Sequence, residues 1–300
     1  SDFGIFAAVS SVVGLLCLFS GARYEGVILL PKKDEDAANL FAVSLFFNVL
    51  ISILLFIALM LFSFFFGGMF VKTEIYMWFY FAPVFTLFMG VAQSTVSWMN
   101  RRKEYRKIAR YRIVNSLVTN TSSLAFGSVH FPVNGLLSSF LIGSIVSIIV
   151  FFRQIINDYS QFRNAVSKQQ MIAMAKKYRS FPFINSLQAL SDTFQINGII
   201  YFVSYFFDKT LVGIYSLSMR VLLVPMNFAG SAIAQVFYQQ ASETYNNGGN
   251  LLRLMRSTIL KSLVIAIPVL LVILLFGPQL FSFVFGGEWN EAGEYARILS

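Results

Sequence analysis

Cysteine and histidine are almost missing from these 300 residues, which hold one of each, Cys17 and His130. A single cysteine excludes a disulfide framework and a cysteine-rich metal site. A single histidine excludes a multi-histidine metal cluster. Charge is scarce too: Asp, Glu, Lys and Arg make up 12%, half the ~25% of a soluble globular chain. So few charges cannot cover a protein folded in water. No Walker A loop and no H-E-x-x-H is present, and the chain reads as a non-enzyme with no cofactor and no metal. Asp34-Glu35-Asp36 sits beside Lys32 and Lys33 and reads as a solvated helix start. What fills the sequence is apolar: 57% hydrophobic residues, including 34 Phe, with a mean hydropathy of +0.68. The chain opens at Ser1 without Met and stops at Ser300 in mid-pattern. It is expected to be an internal slice of a longer membrane protein.

A spanning helix needs ~20 mostly apolar residues, and eight stretches qualify: 5–22, 38–62, 75–99, 113–130, 135–152, 181–206, 212–236 and 259–285. Tyr24, Trp78, Trp98 and Trp289 fall near their ends, where amphipathic rings favour the interface. Orientation follows Lys and Arg. One set of loops holds nineteen: Arg23, Lys32, Lys33, Arg101, Arg102, Lys103, Arg106, Lys107, Arg110, Arg112, Arg153, Arg163, Lys168, Lys176, Lys177, Arg179, Arg253, Arg256 and Lys261. The other holds only Lys72, Lys209 and Arg297. The basic loops are therefore cytoplasmic and Ser1 lies outside. The net charge of +9 marks topology, and no nucleic-acid partner is implied. Span 113–130 is polar, with Asn115, Ser116, Thr119, Asn120, Thr121, Ser122 and Ser123. It is expected to face a bundle interior or a hydrated cavity.

A weak repeat runs at an offset of 209. Gly4, Ile5, Val12, Phe19 and Gly21 recur as Gly213, Ile214, Val221, Phe228 and Gly230. The copies lie in the first and seventh spans, so both enter the membrane in the same direction, as in two-lobed transporters built from parallel repeats. The organisation expected is an N-terminal transmembrane lobe over 1–152 lacking its first helix, a basic cytoplasmic linker over 153–180, and a truncated C-terminal lobe over 181–300. Within the linker, Phe162, Val166, Met171 and Met174 alternate with polar residues. That pattern fits a helix lying on the inner membrane surface or a solvated loop.

Polar residues recur at helical spacing inside the spans: Asn185, Gln188, Asp192 and Gln195; Ser216, Arg220, Asn227, Ser231 and Gln235; Ser44, Asn48 and Ser52; Thr86, Gln93 and Ser97. Each set forms one stripe. Such stripes line a hydrated cavity or act as interhelical glue worth ~0.6 kcal/mol per contact. Asp192 and Arg220 differ, because a charge at mid-membrane costs ~2.5–3.5 kcal/mol and needs a partner, a ligand or water.

The opening Asp2-Phe3-Gly4-Ile5-Phe6, then Gly21-Ala22-Arg23-Tyr24-Glu25 followed by Leu30-Pro31, resembles the polysaccharide flippase branch of the multidrug/oligosaccharidyl-lipid/polysaccharide (MOP) exporter superfamily. The likeness continues through Val212-Gly213-Ile214-Tyr215-Ser216, Arg220, Pro225, the run 231–237, Gly286-Gly287-Glu288-Trp289 and Ala292-Gly293. The resemblance implies an all-α polytopic membrane protein of two pseudo-symmetric helix bundles. Twelve or more helices are expected in the full protein, about eight of them visible here. It further implies a flippase in the bacterial cytoplasmic membrane. This flippase would move an undecaprenyl-pyrophosphate-linked oligosaccharide for O-antigen or capsule synthesis by ion-coupled alternating access. Expected partners are that substrate, membrane lipids, a polysaccharide polymerase and a chain-length regulator.

The substrate-binding candidates are Arg220, Arg23, Glu25, Asn227, Gln235, Gln93 and Asn120. Arginine suits a phosphate through its planar fork. Arg23 would capture the anion at the cytoplasmic mouth and Arg220 would hold it deeper. Asp192 is the ion-coupling candidate, since a carboxylate within a bilayer can bind a proton reversibly. The rival readings are a multidrug exporter, which would favour acidic residues deep in the first lobe, and a membrane-embedded polysaccharide polymerase, which would need large outer loops.

Overall fold

Among the described residues the chain is helical and contains no strand. The computed structural model describes residues 2–70, 78–128, 135–157, 165–206 and 209–300. Ten α-helices are described: α1 (Asp2–Cys17), α2 (Asp34–Phe70), α3 (Ala82–Arg101), α4 (Tyr105–Ser128), α5 (Gly135–Asn157), α6 (Lys168–Lys177), α7 (Ser180–Phe206), α8 (Lys209–Asn246), α9 (Leu251–Phe285) and α10 (Asn290–Leu299). Two short 3-10 segments, Tyr24–Leu29 and Gly287–Trp289, precede α2 and α10. Each of the eight sequence-derived spans overlaps one of these helices, with residues 75–77 and 129–130 lying outside the described residues. Two are long and apolar enough to cross a bilayer unaided, Asp34–Phe65 and Leu251–Phe285, with mean hydropathies of 2.8 and 2.9. Among the others, α3, α4, α7 and α8 carry polar residues within their spans.

Exposed side chains explain the composition. Along α2, Phe46, Ile53, Leu54, Phe56, Ile57, Leu61, Phe64 and Phe65 all face outward, and along α9 Val264, Leu271, Leu275, Phe276 and Phe283 do the same. A water-soluble monomer does not present apolar surface on this scale. These helices are solvated by lipid.

The chain divides into two compact units, Ser1–Gln188 and Ala189–Ser300. In the first, Val9, Val13, Trp78, Ala82, Phe85 and Leu137 join α1, α3 and α5. Tyr24, Val27, Ile28, Leu40, Phe41 and Trp98 form a second core where the 3-10 segment meets α2 and α3. Helices α2 and α3 approach closely at Gly90. A Cβ there would overlap Asn48 and come within 2.7 Å of Ser20 Oγ. In the second unit, Ile214, Leu222, Ile273, Phe281, Ala292 and Ala296 join α8, α9 and α10. Ser218 Oγ crosses from α8 to donate to Ala292 O at 2.7 Å.

Two local expectations change. The first span, expected over 5–22, leaves the α-helix at Cys17. Its end tightens into i→i+3 bonds, Phe19 N to Leu16 O at 3.1 Å and Ser20 N to Cys17 O at 3.3 Å, a common helix ending. Ala22 (φ 46°) and Arg23 (φ 60°) are then left-handed and turn the chain back. The corresponding Gly230 of the 209-residue repeat lies inside uninterrupted α8, so the turn belongs to the first copy alone. The linker also differs from a helix on the membrane surface. Val166, Met171, Met174, Ala175 and Tyr178 pack on the Tyr24–Phe41 core, so its apolar face is covered by protein. Phe162 lies outside the described residues.

Candidate functional site

The turn after α1 builds the first part of the site. The left-handed turn delivers Arg23, Tyr24 and Glu25 to the interior side of α2 and α3. Glu25 is only 8% exposed and its Oε2 has no hydrogen-bond partner. Burial pushes the Glu25 carboxyl above its usual range, with its own backbone N–H and the Arg23 charge pulling the other way. Among the described residues no ion pair joins Arg23 to Glu25. Arg23 is half-buried, with a buried, unpartnered Nε.

Beyond Glu25 a buried polar row follows α2. Ser44 Oγ and Ser94 Oγ are 2.6 Å apart, and Asn48 Nδ2 donates to Ser94 Oγ at 3.1 Å. Ser94 Oγ donates to Gly90 O at 3.0 Å. The stripe Ser44, Asn48 and Ser52 is therefore buried throughout, and its first two members glue α2 to α3. Their partner Ser94 lies outside the Thr86, Gln93, Ser97 stripe. Thr86 turns into the core and donates to Ala82 O at 2.8 Å.

Gln93 faces the other way, into a cavity of about 220 Å³ between α3, α4 and α5. Phe88, Met89 and Phe140 form apolar walls, and Tyr111, Arg112, Asn115 and Ser144 add polar groups. In the sequence Arg112 stands out only as a topology charge, because it precedes the apolar part of its span. Asn115 Nδ2 also donates to Gly143 O at 3.0 Å, fixing α4 to α5. Asn120 points elsewhere: it is exposed and donates to Ser116 Oγ at 3.1 Å.

Two polar clamps hold this region, and the sequence did not reveal either. Asn39 is fully buried, and the two hydrogens of its Nδ2 are shared among Glu35 O at 2.8 Å, Ala165 O at 2.9 Å and Gln170 Oε1 at 3.0 Å. Its Oδ1 accepts from Ser167 N at 3.1 Å. Ser167 in turn caps α6 through Gln170 N at 3.3 Å, so the start of the linker helix is fastened to α2. Tyr24 Oη donates to Ala175 O at 2.9 Å further along that helix, and burial pushes the Tyr24 hydroxyl above its usual range. Arg101 forms the second clamp. Its Nη1 donates to Ile28 O at 3.1 Å and Pro31 O at 2.8 Å, and its Nε and Nη2 reach Asp34 Oδ1 at 3.0 and 2.8 Å.

In the second unit Asp192 on α7 is exposed and Gln235 on α8 half-buried. Arg220 and Asn227 fall on α8, and their side chains lie outside the described residues. Of the expected site residues, the first unit thus gathers Arg23 and Glu25 in one place and sets Gln93 in a separate cavity. Among the described residues no group of three or more His, Cys, Asp or Glu is placed to hold a metal ion.

Comparison with curated protein sequences yields no match. Among solved structures, the chain is similar to a crystal structure of MATE in the bent conformation, with a TM-score of 0.71 and 13% identity. The match covers 99% of this chain and 68% of the other, and it establishes a shared fold. A second comparison reaches function at the family level: residues 1–294 match the polysaccharide biosynthesis protein family. With its MATE-type helical fold and lipid-facing surfaces, the chain is a multi-pass membrane protein and belongs to this polysaccharide biosynthesis protein family.

Proposed function

We propose that the protein exports a lipid-linked oligosaccharide, carried on undecaprenyl pyrophosphate, across the bacterial cytoplasmic membrane by ion-coupled alternating access. The observation that carries this reading is the pairing of a polysaccharide biosynthesis family with an exporter fold along nearly the whole chain. Polysaccharide units assembled on a lipid inside the cell must pass a large polar sugar and two phosphates through ~30 Å of hydrocarbon. A hydrated interior removes that desolvation barrier while the lipid tail stays in the bilayer. Arg23, beside the turn after α1, is the cytoplasmic capture point for the pyrophosphate. Arg220 is its counterpart in the second unit, with Asn227 and Gln235 on the same helix, and Asp192 is the ion-coupling carboxylate there. Gln93 and Asn120 bind sugar hydroxyls. A polymerase and a chain-length regulator would act on the exported unit.

Buried Glu25 favours a second reading, a multidrug exporter, because a buried acid in the first lobe suits a cationic drug. Complementation of a flippase-deficient strain, with expression controlled, separates the two. Restored surface polysaccharide supports the flippase. Failure to restore it, together with efflux of cationic dyes, supports the drug exporter. Arg220→Lys should fail because Lys lacks the planar fork, whereas Arg23→Lys should largely succeed.

A further inference from the structure

The outward face of α4 begins with two arginines that lack partners. Arg106 and Arg110 are exposed, and neither side chain joins an ion pair or a hydrogen bond among the described residues. The cations around them are directed elsewhere. Arg101 is held by Asp34 and backbone carbonyls, and Arg112 turns into the cavity beside Gln93. Lys107 Nζ meets Glu104 Oε1 at 2.8 Å, which occupies the only acidic residue of 101–112. Arg106 and Arg110 stand four residues apart, about 6 Å between their Cβ atoms, and like charges at that spacing weaken a helix. An anion held between the two guanidinium groups removes that repulsion. The same face continues through Ile113 and Leu117, each 59% exposed. Steps of four, three and four keep all four residues in one stripe. From Arg106 to Leu117 the helix rises about 16 Å, close to one leaflet of a ~30 Å hydrocarbon core. Cations above bare aliphatic side chains match an amphiphile with an anionic head. A sugar would need hydrogen-bonding groups where Ile113 and Leu117 stand.

We propose that this face of α4 seats one anionic phospholipid of the inner leaflet, its phosphate bridged by Arg106 and Arg110 and an acyl chain lying along Ile113 and Leu117. An arginine fork gives a phosphate two parallel hydrogen bonds. An anionic leaflet attracts cations next to a spanning helix in a diffuse way, and two forks one turn apart convert that attraction into a defined contact. The inner leaflet follows from the orientation read from Lys and Arg; the seat does not depend on what the protein exports.

Native mass spectrometry of the detergent-solubilised full chain, given equal amounts of phosphatidylglycerol and phosphatidylcholine, counts the lipids that stay bound. The wild type should retain phosphatidylglycerol preferentially. Arg106→Gln combined with Arg110→Gln should weaken that binding about thirtyfold and leave phosphatidylcholine unaffected. Lysine at both positions keeps the charge without the fork and should fall in between. Lys168→Gln combined with Lys176→Gln removes the same charge from exposed positions of α6 and should leave the preference intact. Soluble glycerophosphoglycerol should not compete, because it has no chain to lie on Ile113 and Leu117. The proposal is overturned if the preference survives loss of both arginines, or if the α6 pair abolishes it equally, since diffuse charge would then account for it. Tighter binding of a prenyl pyrophosphate than of phosphatidylglycerol, lost with the same two arginines, would make this face a substrate entrance and overturn the phospholipid seat.

Discussion

Removing the Asn39 side chain should release the linker helix from the first unit. In Asn39→Ala, three hydrogen bonds between segments disappear, those to Ala165 O, Gln170 Oε1 and Ser167 N. Each such bond contributes about 1 kcal/mol net, so opening of α6 should become easier by about 3 kcal/mol. At 1.4 kcal/mol per tenfold that is about a hundredfold. Amide hydrogen exchange of Lys168–Lys177 in the detergent-solubilised protein reads this as a faster local opening. The α3 amides, which make none of these bonds, should keep their rates. Asn39→Asp retains the acceptor for Ser167 N but sets a carboxylate against the Ala165 carbonyl, so it should open the linker as well. Unchanged exchange across α6, or acceleration spread evenly over the unit, would refute the clamp.

Further expectations concern charge and topology. Arg101→Ala should cost about 2–3 kcal/mol, because it strips the Ile28 and Pro31 carbonyls of their donor. Asp34→Ala should cost under about 1 kcal/mol, since the Asp34 side chain is 89% exposed and exposed ion pairs contribute little; denaturant unfolding compares the two. Glu25 holds its proton more tightly in the fold, so its contribution to stability is complete below the unfolded value and is lost as pH rises through the folded one. Thermal unfolding across pH should show that decline in the wild type and a flatter profile in Glu25→Gln. In a Cys17→Ala background, single cysteines at positions 72, 133 and 209 should label from outside, and those at 103, 168 and 247 only after permeabilisation. Outside labelling at 168 would overturn the orientation.

Helix positions were legible because a bilayer demands long apolar runs. The turn at 18–23 was not, since Leu18-Phe19-Ser20-Gly21-Ala22 is as apolar as the helix before it. Its geometry depends on left-handed Ala22 and Arg23 and on burial of the segment that follows. The amphipathic pattern of α6 was legible, but the pattern is the same whether lipid or protein covers the apolar face. Asn39 decides for protein, and it stands inconspicuously behind an acidic helix start. In the polar stripes, spacing identified Ser44 and Asn48 but missed Ser94, their partner across the interface, because residues on two helices share no sequence period. Glu25 stood out through the family motif, whereas its burial comes from the tertiary fold.

Reconstitution measures the movement of a lipid-linked sugar directly. The full chain is placed in liposomes with lipid-linked oligosaccharide confined to one leaflet, and arrival of the sugar at the opposite face is followed by its accessibility to a membrane-impermeant glycosidase. The expected result is protein-dependent translocation that an imposed proton gradient accelerates and Arg220→Ala abolishes. Oligosaccharide that stays in its original leaflet, while the same liposomes transport a cationic dye, would contradict it.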